Sequence, residues 1–129
     1  MKSYAAFILS HENFADSLKA TVEKITGSQK NLFPYSNKTD TLQILAKKID
    51  QKISELNVDK IFVFVDLIGG SCWGLANMLL KQRPNIVVIG GVNMPMIISL
   101  IINFENYNFE DLLNKILEDS KKGIKAVRN

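Results

Sequence analysis

Three short and almost wholly apolar runs constrain the fold more than any other feature of this chain: "YAAFIL", "KIFVFVDL" and "NIVVIGG". Runs of this length without polar alternation suit strands buried on both faces, as in a parallel sheet covered by helices. Between them, apolar residues recur at helical spacing. Phe14, Leu18, Val22 and Ile25 form one stripe, which Gly27 is placed to end, and Leu42, Leu45, Ile49, Ile53 and Leu56 form a second. Asp40 with Gln43 predicts a capping box ahead of the second stripe. "NLFPY" reads as a weaker strand, suited to a sheet edge by Pro34. A helix carrying Leu75, Met78 and Leu79 follows "IGGS", and Pro95 suits the first turn of the next. Asn108 caps a last helix through Leu112, Leu113, Ile116 and Leu117 that ends before Gly123, leaving "IKAV" as a short terminal strand.

Strand and helix thus alternate four times, which predicts a doubly wound α/β fold. The sheet is expected to be mostly parallel, of order 2-1-3-4, with right-handed crossovers placing helices on both faces. A chain of 129 residues is expected to form one domain, 1–129. In that strand order the chain leaves strands one and three in opposite directions, and ligands bind in the crevice at their carboxyl ends.

Composition narrows the function. With 47% apolar and 22% charged residues the balance is that of a soluble globular protein. The net charge of +3 comes partly from "KKGIKAVR", and no basic stripe is interleaved with aromatics, so no nucleic acid is expected. One cysteine, Cys72, leaves no internal disulfide. With one histidine, His11, it argues against a zinc site, and no metal is expected. The run "IVVIGGVNMPMIISLII" is broken by two glycines, Asn93 and Pro95, so it reads as strand, turn and helix rather than a membrane span. "MKSYAAFILSHE" reads as a first strand rather than a signal peptide, and the cytoplasm is the expected location.

The single histidine stands in "AAFILSHENFADSL", where a strand should end and a helix begin. His11 follows strand one and Asp66 ends strand three, so both should face the crevice. A carboxylate bonded to one ring nitrogen fixes the tautomer and leaves the other nitrogen as a nucleophile. Gly69, Gly70 and Ser71 open the following helix, whose free N–H groups can hold a phosphoryl group. Plainer readings stand beside these. His11 could cap the first helix, Asp66 could serve a turn, and Gly69-Gly70-Ser71 could be a tight turn with Ser71 as cap. A Ser-His-Asp hydrolase using Ser71 or Ser10 lacks the G-x-S-x-G elbow, and "GGSCWG" lacks the lysine of a P-loop.

The blocks "FILSHENFADSL", "FVFVDLIGGSCWGLANML" and "VIGGVNMPMI" resemble, in order and spacing, the signature blocks of enzyme IIA domains of the mannose/fructose/sorbose phosphotransferase system. The resemblance implies that His11 is phosphorylated on a ring nitrogen and that Asp66 orients it. The region of Gly70 and Ser71 would hold the phosphoryl oxygens. The implied donor is phospho-HPr and the implied acceptor a IIB domain or subunit; with no linker after Asn129, the acceptor histidine is expected on a separate IIB chain, and no cofactor is called for. It also implies a homodimer in which the terminal strand is exchanged, with the membrane met only through a sugar permease complex. The phosphotransferase subunit of a dihydroxyacetone kinase and a non-catalytic regulatory module share this fold. Two positions depart from the family pattern: Glu12 stands where glycine commonly follows the histidine, and Cys72 where proline often follows GGS. Gly91, Asn93 and Pro95 of "GVNMPM" are expected to shape a neighbouring loop, while Trp73, Met94 and Met96 suit either a partner surface or the core.

Overall fold

A computed structural model describes residues 3–129, which divide into two compact units, one running to Val92 and one from Asn93 onward. The first unit contains strands β1 (Tyr4–Ser10), β2 (Leu32–Ser36), β3 (Lys60–Val65) and β4 (Ile86–Gly90), with helices α1 (Phe14–Thr26), α2 (Leu42–Glu55) and α3 (Ser71–Gln82) between them. All pairings are parallel and the order is β2-β1-β3-β4, as the alternation predicts. The central strands β1 and β3 are buried along nearly their whole length, which is why their sequences carry no polar alternation. Pro34 lies on β2, which pairs only with β1.

Alternate residues of the central strands point to opposite faces. Ala5, Phe7 and Leu9 with Ile61, Val63 and Val65 pack against Leu45, Ile49 and Ile53 of α2 and Cys72, Leu75, Ala76 and Leu79 of α3. The remaining residues, among them Ala6, Ile8, Phe62 and Phe64, are fully buried on the other side, where α1 packs on β1 and β2 through Ala15, Leu18 and Val22. Gly27 ends α1 with a φ of +88°, the left-handed conformation that favours glycine.

One cap differs from expectation. Thr41, not Asp40, caps α2, its hydroxyl accepting from the Ile44 N–H at 3.2 Å. The Asp40 carboxylate instead accepts from Lys48 Nζ at 2.8 Å, so the helix starts one residue later than the capping box implies.

The second unit is a helical pair, α4 (Met94–Asn103) and α5 (Phe109–Lys122), joined through a 3₁₀ turn at Phe104–Asn106. Asn93 caps α4 by accepting from Met96 N–H at 3.0 Å, and its amide donates to the Ser120 carbonyl near the end of α5. Asn108 caps α5, accepting from Asp111 N–H at 2.8 Å. Pro95 occupies the first turn of α4 and leaves no room opposite it: a Cβ at Gly123 would lie 2.6 Å from the proline ring. The motif "GVNMPM" thus builds a capped, proline-started helix, and Met96 is core.

The expected terminal strand does not form within the chain. Residues 124–129 have no regular structure, the sheet stops at its four strands, and Ile124 and Val127 are 77% and 86% exposed. No helix among the described residues is long and apolar enough to cross a membrane.

The layer between sheet and helices carries the stability of the first unit. Ile49, fully buried under the sheet, is the sharpest test. Ile49→Ala should lower the unfolding free energy by about 2–5 kcal/mol, read as a lower urea midpoint at unchanged slope. A loss below about 1 kcal/mol would show that this layer is not tightly packed.

Candidate functional site

The strands are level at one end. Ser10 pairs with Ser36, Leu9 with Val65, and Val65 with Gly90, so the residues that follow, His11, Asn37, Asp66 and Gly91, emerge along one edge of the sheet. The ladder continues briefly past the strands. Asn37 N–H donates to the Ser10 carbonyl at 3.1 Å, and Val92 N–H donates to that of Val65 at 3.0 Å.

His11 and Asp66 meet there. The His11 backbone N–H donates to Asp66 Oδ2 at 2.9 Å, and His11 Nδ1 lies 2.8 Å from the same oxygen. A carboxylate only accepts, so in the neutral ring Nδ1 carries the proton and Nε2 keeps its lone pair. The imidazole is 42% exposed and Asp66 only 16%, which leaves the nucleophilic nitrogen accessible and its support covered. Asp66 Oδ1 is buried without a hydrogen-bond partner among the described residues.

Gly70 lies against the exposed side of the imidazole. A Cβ there would sit 3.5 Å from His11 Cε1 and 3.9 Å from Nε2, so the backbone before α3 lies close to the ring. Gly69 makes the preceding turn at φ +87°, and Gly70 is the N-cap of α3. The first N–H groups of α3 have no acceptor in the preceding turn, and the helix dipole adds positive potential at this end. Ser71, exposed on the first turn, accepts a 3.4 Å hydrogen bond from Asn37 Nδ2. The site thus brings together His11, Asp66, Gly70 and Ser71, with Gly69 as the turn that aims them.

Of the plainer roles, the turn is present, with Gly70 rather than Ser71 as the N-cap of α3. His11 does not cap α1: Asn13 holds the N-cap position, and the buried Ser10 hydroxyl accepts from the first-turn Ala15 N–H at 2.8 Å and donates to the His11 carbonyl at 3.2 Å. That also removes Ser10 as a nucleophile. Cys72 is fully buried, and burial, with the Asp66 charge nearby, pushes its thiol up to about 11. Cys72, His11 and Asp66 present donor atoms within 4.8 Å of one another. A metal there would nonetheless have to deprotonate a thiol that burial holds in its protonated form, so the set suits a metal poorly. Trp73 packs against the core, and with Ile68 it lies so close to Gly90 that a Cβ there would fall within 2.8 Å of both side chains.

Asn37 and Lys38 of this edge escape a local reading of the sequence, while Glu12, the departure from the family pattern, takes an unusual conformation. Glu12 has a φ of +50° and is the only non-glycine with positive φ among the described residues. A Cβ is unfavourable there by roughly 1–2 kcal/mol, which gives a physical reason for glycine at this position in the family pattern. Lys38 Nζ reaches Asn13 Oδ1 at 3.1 Å and lies 4.0 Å from Glu12 Oε2, so a cation offsets the carboxylate next to His11. The signal for both loop residues was the polar "SNKT" after strand two, read with the strand order. Glu12→Gly should raise stability by about 0.5–1 kcal/mol, seen as a higher urea midpoint. An unchanged or lower midpoint would show that the left-handed turn is unstrained or that the Lys38 contact matters more.

Beginning at Ser71, between α2 and α3, runs an open and largely apolar groove of about 860 Å³, lined by residues that include Leu42, Ala46, Leu75 and Met78.

Comparison with known proteins agrees with this geometry. The family model described as PTS system fructose IIA component, EIIA-man, matches residues 6–117. The chain is 28% identical over 130 residues to the PTS system mannose-specific EIIAB component of Escherichia coli strain K12. That match covers 96% of this chain but 39% of the relative, so the chain spans well under half of that protein's length. It is 24% identical over 125 residues to the PTS system fructose-specific EIIA component of Bacillus subtilis strain 168, covering 95% of this chain and 85% of the relative. Among solved structures, the phosphotransferase system component EIIA of Streptococcus agalactiae superposes with a TM-score of 0.87 at 21% identity, over 96% of this chain and 97% of the other. A match across residues 6–117, on a sheet of order β2-β1-β3-β4, places this chain in the EIIA-man family of mannose/fructose-type IIA components of the sugar phosphotransferase system.

Proposed function

We propose that His11 is a phosphocarrier that accepts a phosphoryl group from phospho-HPr and passes it to a histidine of a IIB partner. The observation that carries this reading is the 2.8 Å contact of Nδ1 with Asp66, which leaves Nε2 as an accessible nucleophile beside Gly70. In the first step the Nε2 lone pair attacks phosphorus while the bond from phosphorus to the donor's ring nitrogen breaks, that nitrogen keeping the electron pair. The second step is the same displacement with His11 as leaving group. The ring of phospho-His11 carries positive character at Nδ1–H, and the Asp66 carboxylate stabilises it. The N–H groups of the α3 start and the Ser71 hydroxyl are set to bind phosphoryl oxygens. Since nitrogen is exchanged for nitrogen, positioning and electrostatics suffice, without a cofactor. The groove beside Ser71 is open and apolar, which supports protein partners of a sugar-uptake system rather than an enclosed small substrate. Residues 1–129 act as one phosphocarrier domain in this reading, and the matches fall on the sugar-transport branch rather than on the dihydroxyacetone kinases.

Incubation with enzyme I, HPr and phosphoenolpyruvate should add one acid-labile phosphoryl group, detected by mass spectrometry, and His11→Ala should abolish it. Asp66→Asn should keep the fold and slow transfer by on the order of 10²-fold, because the amide no longer fixes the tautomer. Labelling that survives in His11→Ala would overturn the assignment, and wild-type rates in Asp66→Asn would remove Asp66 from the mechanism.

The same reading includes a homodimer in which Ile124–Val127 pair with the outer edge of β4 in the partner. Two exposed aliphatic residues on a segment without regular structure support it, since such a strand needs an edge for its backbone groups. Light scattering should give a dimer at micromolar concentration, weakened in a variant ending at Gly123. A monomeric full chain would contradict the dimer, and an undiminished dimer after truncation would rule out the tail as its support.

A further inference from the structure

We propose that Asn37 is a further phosphoryl-binding residue of this site: its side-chain amide leaves Ser71 and donates to an oxygen of the phosphoryl group on His11. The inference rests on His11 being the residue phosphorylated. It concerns a loop that the signature motifs do not include, and it starts from the register.

Ser36 pairs with Ser10, so the residue after β2 stands beside the residue after β1. Asn37 is pinned at that position from three sides. Its own N–H donates to the Ser10 carbonyl at 3.1 Å. The Ser36 hydroxyl before it donates to the Glu12 carbonyl at 2.6 Å and accepts from Lys38 N–H at 3.0 Å. Lys38 after it is tied to Asn13 by its ammonium group. The backbone carrying Asn37 is therefore fixed against both residues that follow His11.

The side chain reaches across to the other wall of the crevice. Asn37 Nδ2 lies 3.4 Å from Ser71 Oγ, one residue from Gly70, whose Cα lies close to the His11 ring. A neutral N–H···O bond of that length is at the weak end of the range. A phosphoryl oxygen placed on Nε2 offers a charged acceptor, for which such bonds are shorter and roughly twice as strong. The exchange costs little, because the amide has a second N–H. Lys38, next in the chain, adds positive charge at the same edge and offsets Glu12. The structure thus supplies donors from two directions, the start of α3 on one side and the β2–α2 loop on the other.

The test is the equilibrium of phosphoryl exchange between HPr and this chain, measured by phosphorus NMR on wild type and on Asn37→Ala, Ser71→Ala and the double variant. Asn37→Ala should shift the equilibrium about tenfold toward phospho-HPr, and Asn37→Asp further, since a carboxylate would face the phosphoryl group. The double variant separates direct contact from support of Ser71. A direct ligand still costs several-fold when Ser71 is already alanine, whereas a residue that only positions Ser71 costs nothing further there. In wild type, the Asn37 side-chain amide resonances should move on phosphorylation, a readout that does not depend on any variant folding. An unchanged equilibrium in folded Asn37→Ala, or unmoved amide resonances, would overturn the proposal while leaving His11 as carrier. A wild-type chain that HPr does not phosphorylate would overturn both.

Discussion

One oxygen atom organises this end of the molecule. Asp66 Oδ2 accepts from both the backbone N–H and the ring Nδ1 of His11, so it fastens the end of β1 to the end of β3 and sets the ring's tautomer at once. The two bonds constrain different freedoms, the path of the chain and the rotation of the side chain. The ring can then present Nε2 in one orientation, with its geometry fixed before any partner arrives. Everything else at the edge is arranged around that orientation. Gly70 lies close to it, α3 begins beside it, and the β2–α2 loop closes the opposite side.

Much of this was legible before the fold was seen, and for a simple reason. Parallel α/β sheets carry their topology in the sequence as buried runs without alternation, and β1 and β3 show that pattern most clearly. Once the order is given, His11 and Asp66 must lie near each other, whatever their side chains do. What local patterns could not supply was competition between side chains. Asp40 and Thr41 are both good caps, and the choice was made by Lys48, eight residues on from Asp40. Ser10 looked like the last residue of an apolar strand, yet its hydroxyl accepts from the first turn of a helix, five residues away. Asn37 and Lys38 belong to a polar stretch of ordinary loop composition, and only the pairing of Ser36 with Ser10 gives them a place. The terminal "IKAV" has strand-forming residues but no partner in its own chain, so composition alone could not decide its state.

Glu12 shows how a departure from a family pattern is accommodated. The backbone conformation it adopts favours glycine, and its charge stands next to the nucleophile. The strain is local and persists because Ser36 holds the Glu12 carbonyl. The charge is met by Lys38. Both compensations come from the same loop, which ties the conformation after β1 to the sequence after β2.

Cys72 has a consequence of another kind. The only thiol in the chain lies within 4.8 Å of the nucleophilic ring, yet it is fully buried and pushed up to about 11. Burial and the nearby Asp66 charge both hold the sulfur in its thiol form, whereas the thiolate is the form that reacts with oxidants and alkylating agents. The centre of the site is thus chemically silent toward thiol reagents while its imidazole stays open. The rate at which such a reagent modifies the chain therefore reports how often the first turn of α3 comes away from the sheet, a clock for local opening built into the site itself.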